Sequence, residues 1–177
     1  MKPAMQYSHL DIEIYHNEER EFKAAIENRK WKGGLKATMD IAAGRVWEMM
    51  QDFGGIQKWA LIAESKLVQG LPNVEGCVRF CKSMLRNALG EDLWVEERLL
   101  VFDSKERFMS YAVVDCNMDM HGYIATIRVL EGGPHSSIVE WLFELDPTHG
   151  KEETQTVESI TRSLAAKINH LYALLAM

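Results

Sequence analysis

The spacing of apolar residues changes character twice along the 177-residue chain. Residues 1 to about 30 mix charged positions with isolated apolar ones (Ile12, Ile14, Phe22, Ile26) and follow no sustained period. That texture predicts a loosely held extension ahead of the folded domain. From Trp31 the signals sharpen. Leu35–Ile41 reads as a strand, and Asp40 is placed to cap a short helix running to Phe53, with Val46, Met50 and Phe53 on one face. Gly54-Gly55 breaks that helix, and a second short one is expected through Ala63. Strand-like runs then follow at hairpin spacing: 66–70, 77–86, 93–102, 107–116, 121–130 and 137–145, each bounded by turn-forming residues. Finally Val157, Ile160, Leu164, Ile168, Leu171 and Leu175 recur every three or four residues. This spacing predicts an amphipathic helix over 153–176, about 36 Å long.

That order of elements has one economical packing. It is an α+β fold in which a curved, seven-stranded antiparallel sheet wraps around the long C-terminal helix, with two short helices after the first strand. The expected division is an extension over 1–30 and a ligand-binding or catalytic domain over 31–177. A sheet gripping a helix in this way leaves room between them for a small apolar ligand.

Alternation predicts which side chains face that room. In 121–130 the odd positions His121, Tyr123, Ala125, Ile127 and Val129 form the inward set; in 137–145 they are Val139, Trp141, Phe143 and Leu145. In 93–102 the odd face (Val95, Leu99, Val101) is aliphatic except for one carboxylate, Glu97. A buried carboxylate must neutralise or recruit a cation. The nearest is Arg79 on the preceding strand. Its own strand leaves its direction open, because Val78 and Phe80 are more apolar than Arg79 and Cys81. Glu97 and Arg79 fit either a structural ion pair or, with Tyr123, a polar trio in an apolar pocket lined by Val95, Leu99, Trp141, Phe143, Leu164, Ile168 and His121.

Charge and motifs narrow the chemistry. The net charge is −6, which argues against a nucleic-acid partner. The longest apolar run, Leu171 to Met177, is far too short to span a membrane, and the charged N-terminus has no apolar stretch of the signal-peptide kind. Cys77 and Cys81 are about 13 Å apart along a strand, too far to bridge, and Cys116 is left odd, so free thiols and a cytoplasmic location are expected. The six histidines show no metal-binding spacing, and Gly33-Gly34, Gly54-Gly55 and Gly132-Gly133 read as turn glycines.

The element order resembles the START-like, helix-grip superfamily of the birch pollen allergen, polyketide cyclases and plant hormone receptors. Several stretches are similar to plant lachrymatory-factor synthase and its relatives: VWEMMQDFGGIQKW (46–59), LVQGLPNVEGCVRF (67–80), LWVEERLLVFD (93–103), FMSYAVVDC (108–116), GYIATIRVLEGG (122–133) and SSIVEWLFEL (136–145). The hormone-receptor gate would follow the GCVR strand, where SMLRNALG stands instead. The resemblance implies that Arg79, Glu97 and Tyr123 are catalytic. It also implies cofactor-free isomerisation of a small reactive metabolite, such as an alkenyl sulfenic acid, by a proton shift within a cavity that excludes water. Carriage of apolar ligands without catalysis is the alternative.

Overall fold

The alternation read most clearly, in residues 136–145, becomes a central strand of a single antiparallel sheet. The computed structural model describes residues 10–16 and 29–177. In chain order the elements are β1 (Leu10–His16), β2 (Trp31–Met39), α1 (Ala43–Met50), a 3-10 helix (Phe53–Lys58), β3 (Glu64–Gln69), β4 (Val78–Arg86), β5 (Asp92–Asp103), β6 (Phe108–Cys116), β7 (Ile124–Gly133), β8 (Ser136–Leu145) and α2 (Glu153–Leu175). The strands lie in the order β1-β2-β8-β7-β6-β5-β4-β3, so all but the β2–β8 contact join chain neighbours. One face of the sheet, with Leu35, Ala37, Ile127, Val139, Trp141 and Phe143, shares a single core with Val46, Met50, Phe53, Leu164, Ile168 and Leu171 of the helices. This is a helix-grip arrangement.

The sheet has eight strands rather than seven. Leu10 and Ile12 are buried, and β1 pairs antiparallel with β2 from Leu10↔Met39 to His16↔Gly33. The pattern Leu10, Ile12, Ile14 does alternate, but it is short, flanked by charges, and its last member is exposed. An isolated run of that kind looks like an extension until a partner strand is in place. Phe22 and Ile26, assigned to the same extension, lie outside the described residues.

Two local expectations also change. Asp40 does not cap α1; the helix starts at Ala43 after Ala42, with no side-chain cap, and Asp40 instead accepts a 2.9 Å hydrogen bond from the Tyr172 hydroxyl. It is Asp52 that caps, accepting from the Gly55 amide at the start of the 3-10 helix. Gly33-Gly34 is not a turn but the middle of β2, paired with Phe143 and Leu142. A Cβ on Gly33 would fall 2.6 Å from Val157 Cγ1 and 2.8 Å from the Phe143 ring, so the glycine lets α2 lie directly against the sheet. Gly132-Gly133 ends β7 at a register shift, just ahead of the Pro134-His135 turn, so these glycines too lie in a strand and not in the turn.

Candidate active site

Strands β4 and β5 bring the two charged candidates together. Arg79 and Glu97 are direct cross-strand partners, and both are buried. The Arg79 Nε donates to Glu97 Oε2 at 2.7 Å, and its Nη1 donates to the Phe53 carbonyl at 2.9 Å. The guanidinium lies over the Phe53 ring, 4.0 Å from its centroid, and 4.9 Å from that of Tyr111. Planar guanidinium suits this slot, because it stacks on rings while donating in its own plane. Burial works against the Arg79 charge, but the Glu97 carboxylate, the Cys81 thiol and the Tyr111 hydroxyl more than offset it, leaving the pKa raised. Arg79 is a fixed cation.

The inward direction of Arg79, which its own strand left open, is explained by the outer face. Phe80 stacks there on Trp94, with ring centroids 5.9 Å apart, so its apolar surface is covered without entering the core. Cys81 shares the inner face with Arg79, and its Sγ lies 3.9 Å from Glu97 Oε2. Burial pushes the Cys81 thiol up to about 12, so it is a neutral thiol and not a nucleophile near neutral pH.

Tyr123 is buried, but it reaches the ion pair only through a second tyrosine. Its ring stacks on Phe143 at 5.6 Å and lies 6.4 Å from the ring of Tyr111. Tyr111 in turn accepts a 3.0 Å hydrogen bond from Trp141 Nε1. Burial, first of all, raises the pKa of both tyrosines, so both hydroxyls keep their protons at neutral pH. Tyr111 was not singled out in the sequence. The period-two set Met109, Tyr111, Val113 in β6 carried the signal for it.

The remaining lining residues divide. Leu99, Trp141, Phe143, Leu164 and Ile168 are buried in the common core, and Val95 is half-buried against it. His121 is exposed in the turn before β7 and does not line the interior. Its odd number matched the inward set, but β7 begins only at Ile124, so the alternation does not extend back to it. Val101 departs likewise: the β5–β6 register shifts between Leu99 and Val101, which turns Val101 outward and sets Phe102 against Trp47, rings 5.8 Å apart.

Lys167 was missed altogether. It lies on α2 one turn from Leu164 and Ile168's buried stripe, half-buried, with Nζ 2.9 Å from the Ser163 hydroxyl. Burial lowers its pKa against the opposing pull of Glu97. A lysine among helical polar residues reads as surface.

One open groove among the described residues, of about 520 Å³, lies elsewhere. It runs across β1, β2, β7 and β8 past Tyr15, Lys32, Ile124, Leu142 and Glu144. Between sheet and α2 the aromatic side chains pack on one another, Trp59 and Trp141 with ring centroids 6.0 Å apart and Tyr123 against both Tyr111 and Phe143.

The sequence pattern of the family described as polyketide cyclase / dehydrase and lipid transport matches residues 32–175. The chain belongs to that family. Solved structures similar to it include an uncharacterised protein from Bacillus thuringiensis, at 23% identity and a TM-score of 0.69 over 82% of this chain and 99% of that one. The protein XoxI from Bacillus cereus gives the same identity and TM-score, covering 82% of this chain and 95% of its own. A protein from Nitrosospira multiformis follows at 19% identity and a TM-score of 0.66, covering 81% and 95%. At these identities they establish the fold. The polyketide cyclase family is associated with small apolar ligands, and no helix among the described residues is long and apolar enough to cross a membrane.

Proposed function

We propose that this polyketide-cyclase-family protein is a cofactor-free isomerase or cyclase that moves a proton within a small, reactive, largely apolar metabolite held between the sheet and α2. The observation that carries this reading is the asymmetry of Glu97. Its Oε2 takes the bonds from Arg79 and Cys81, whereas Oε1 takes none of the described hydrogen bonds. The side chain is 11% exposed, so that free oxygen borders solvent rather than closed core. A carboxylate pinned on one oxygen and open on the other is a proton acceptor with a fixed aim.

Arg79 supplies a permanent positive charge beside any oxygen that becomes anionic, with no reorganisation needed as that charge develops. Tyr111 and Tyr123, both protonated, are hydroxyl donors to the same region. For an alkenyl sulfenic acid, as lachrymatory-factor-synthase-like chemistry would have it, the S–OH proton passes to Glu97 Oε1. The carboxyl then returns a proton to carbon as the double bond shifts, so atoms balance and nothing is oxidised or reduced.

The test uses a sulfenic acid generated in place by an alliinase. Glu97→Gln keeps shape and removes titration, and turnover is expected to fall by about 10²-fold or more, the usual scale for general acid–base catalysis. Carriage of an apolar ligand without conversion needs the ring-lined interior but not the carboxylate. Full activity in Glu97→Gln would overturn Glu97 as the proton acceptor, and binding of the apolar ligand by the intact protein without any turnover would favour carriage.

A further inference from the structure

The Arg79 guanidinium meets Glu97 through a single bond. That 2.7 Å contact from Nε to Oε2 fixes a distance but leaves the plane of the group free to turn. The plane is set largely by Phe53, whose carbonyl accepts from Nη1 at 2.9 Å and whose ring centroid lies 4.0 Å from the guanidinium carbon. Packing places the Phe53 ring in the core, but it does not fix which way the carbonyl points. The backbone there is weak: Phe53 opens a six-residue 3-10 helix, Gly54 and Gly55 follow it, and Gly55 has non-helical angles (φ −100°, ψ 26°). What grips the Phe53 amide is Asn73, from the loop between β3 and β4. The Phe53 N–H donates to Asn73 Oδ1 at 2.9 Å.

Asn73 stands at φ 57°, in the left-handed region, where asparagine is among the few side chains well tolerated. The loop around it is tied to β5. The Gly76 amide donates to the Leu99 carbonyl at 2.7 Å, and the Phe102 amide donates to Glu75 Oε1 at 3.2 Å. The strand that carries Glu97 therefore also holds, two residues further on, the loop that grips Phe53.

We propose that Asn73 is a positioning residue of this site: through the Phe53 peptide it sets the plane of Arg79, and with it the direction in which Glu97 presents Oε1. The route is continuous, from Asn73 Oδ1 to the Phe53 N–H, from the Phe53 carbonyl to Arg79 Nη1, and from Arg79 Nε to Glu97 Oε2, with each link 2.9 Å or shorter. A glycine would satisfy the backbone at position 73 equally well, so what asparagine adds there is an acceptor oxygen. The bearing on turnover rests on the proton transfer proposed for Glu97; the aim of the ion pair does not.

Two variants separate the acceptor from the backbone. Asn73→Gly keeps the left-handed conformation and removes Oδ1, whereas Asn73→Asp keeps an acceptor oxygen. By NMR of the isotope-labelled full chain, the Arg79 Nε–H is expected to exchange with water about tenfold faster in Asn73→Gly, the scale of one lost hydrogen bond. In Asn73→Asp the rate should stay near that of the intact protein. The Trp141 indole N–H, bonded to Tyr111, is the reference and should not change in either variant. In sulfenic acid isomerisation, kcat of Asn73→Gly should fall about tenfold with KM little altered, and Asn73→Asp should recover it. Asn73→Ser, whose hydroxyl is one bond short of the Oδ1 position, gives the same reading should the glycine variant fold poorly. An Arg79 exchange rate that stays as it was without Oδ1, or a rise that the Trp141 N–H shares, overturns the positioning role, as does an unaltered kcat alongside faster exchange. Absence of turnover in the intact protein overturns the isomerase reading instead, and the exchange rates then decide the aim of Arg79 by themselves.

Discussion

Strands β2 and β8 differ from β3, β4 and β5 in how strictly they keep their register with one another. The β2–β8 pair runs from Trp31↔Leu145 to Met39↔Ser137 without a shift, and its inner face is apolar apart from Ser137 at its end. Each pairing within β3–β4–β5–β6 contains at least one shift, and the β5–β6 pairing contains two. The buried ion pair is in this second half. A strand that keeps period two must place its alternate residues in the core, so it can hold only what the core accepts. Irregular pairing loosens that requirement, and side chains such as Arg79 and Glu97 are held there by specific bonds instead of by shape. The regular half holds the molecule together, and the irregular half carries its chemistry.

The sharpest way to break this contrast is Arg79→Leu. It adds apolar volume yet leaves Glu97 buried without its cation, and the expected loss is about 3–5 kcal/mol, read as a large drop in the denaturant midpoint. A near-neutral outcome would mean that Glu97 escapes to water and that the irregular half tolerates what the regular half would not.

Alkaline pH provides a second separation. The Cys81 thiol titrates from 9.0 when free to about 12 when folded, so its neutral form is the one that the fold protects. A folded pKa above the unfolded one contributes stability that is complete below the lower value and is lost as pH rises through the higher. The thermal midpoint should therefore decline from about pH 9 upwards, and Cys81→Ala should make that decline shallower. An unchanged slope would assign the alkaline loss to the other groups that the fold holds protonated, Tyr111 and Tyr123 with Cys77 and Tyr172.

The smallest effect belongs to the regular half. Ile127→Val removes one methylene from a fully buried, evenly packed position and should cost about 0.5–1.5 kcal/mol, without altering apolar-ligand binding or turnover. A change in either function would show that the two halves are coupled through the Ile127↔Trp141 pair and the Trp141–Tyr111 hydrogen bond.

Legibility in the sequence follows the same division. Strand β8 and helix α2 were readable because burial repeats strictly at two residues or at three and four. Glu97 was readable as the exception in an apolar face, and Arg79 followed from the need of Glu97 for a cation. What escaped was set by partners distant in sequence. The strand character of Leu10–His16 depends on β2, and the outward turn of Val101 on a register shift against β6. His121 failed for the converse reason: a numerical pattern was extended past the end of the strand that enforces it.

The attachment of α2 has a mechanical consequence. Near its start Glu153 pairs with Arg29, and Val157 rests on Gly33; near its end Tyr172 bonds to Asp40, and Arg45 donates to the Leu175 carbonyl. Between residues 160 and 170 the described side-chain hydrogen bonds stay within the helix, and Leu164 and Ile168 join the common apolar core. The helix is thus a beam clamped at both ends and greased along its span. Directional bonds resist displacement steeply, whereas apolar contacts slide and re-form, so the compliance of this beam is greatest at mid-span, where Leu164, Lys167 and Ile168 stand.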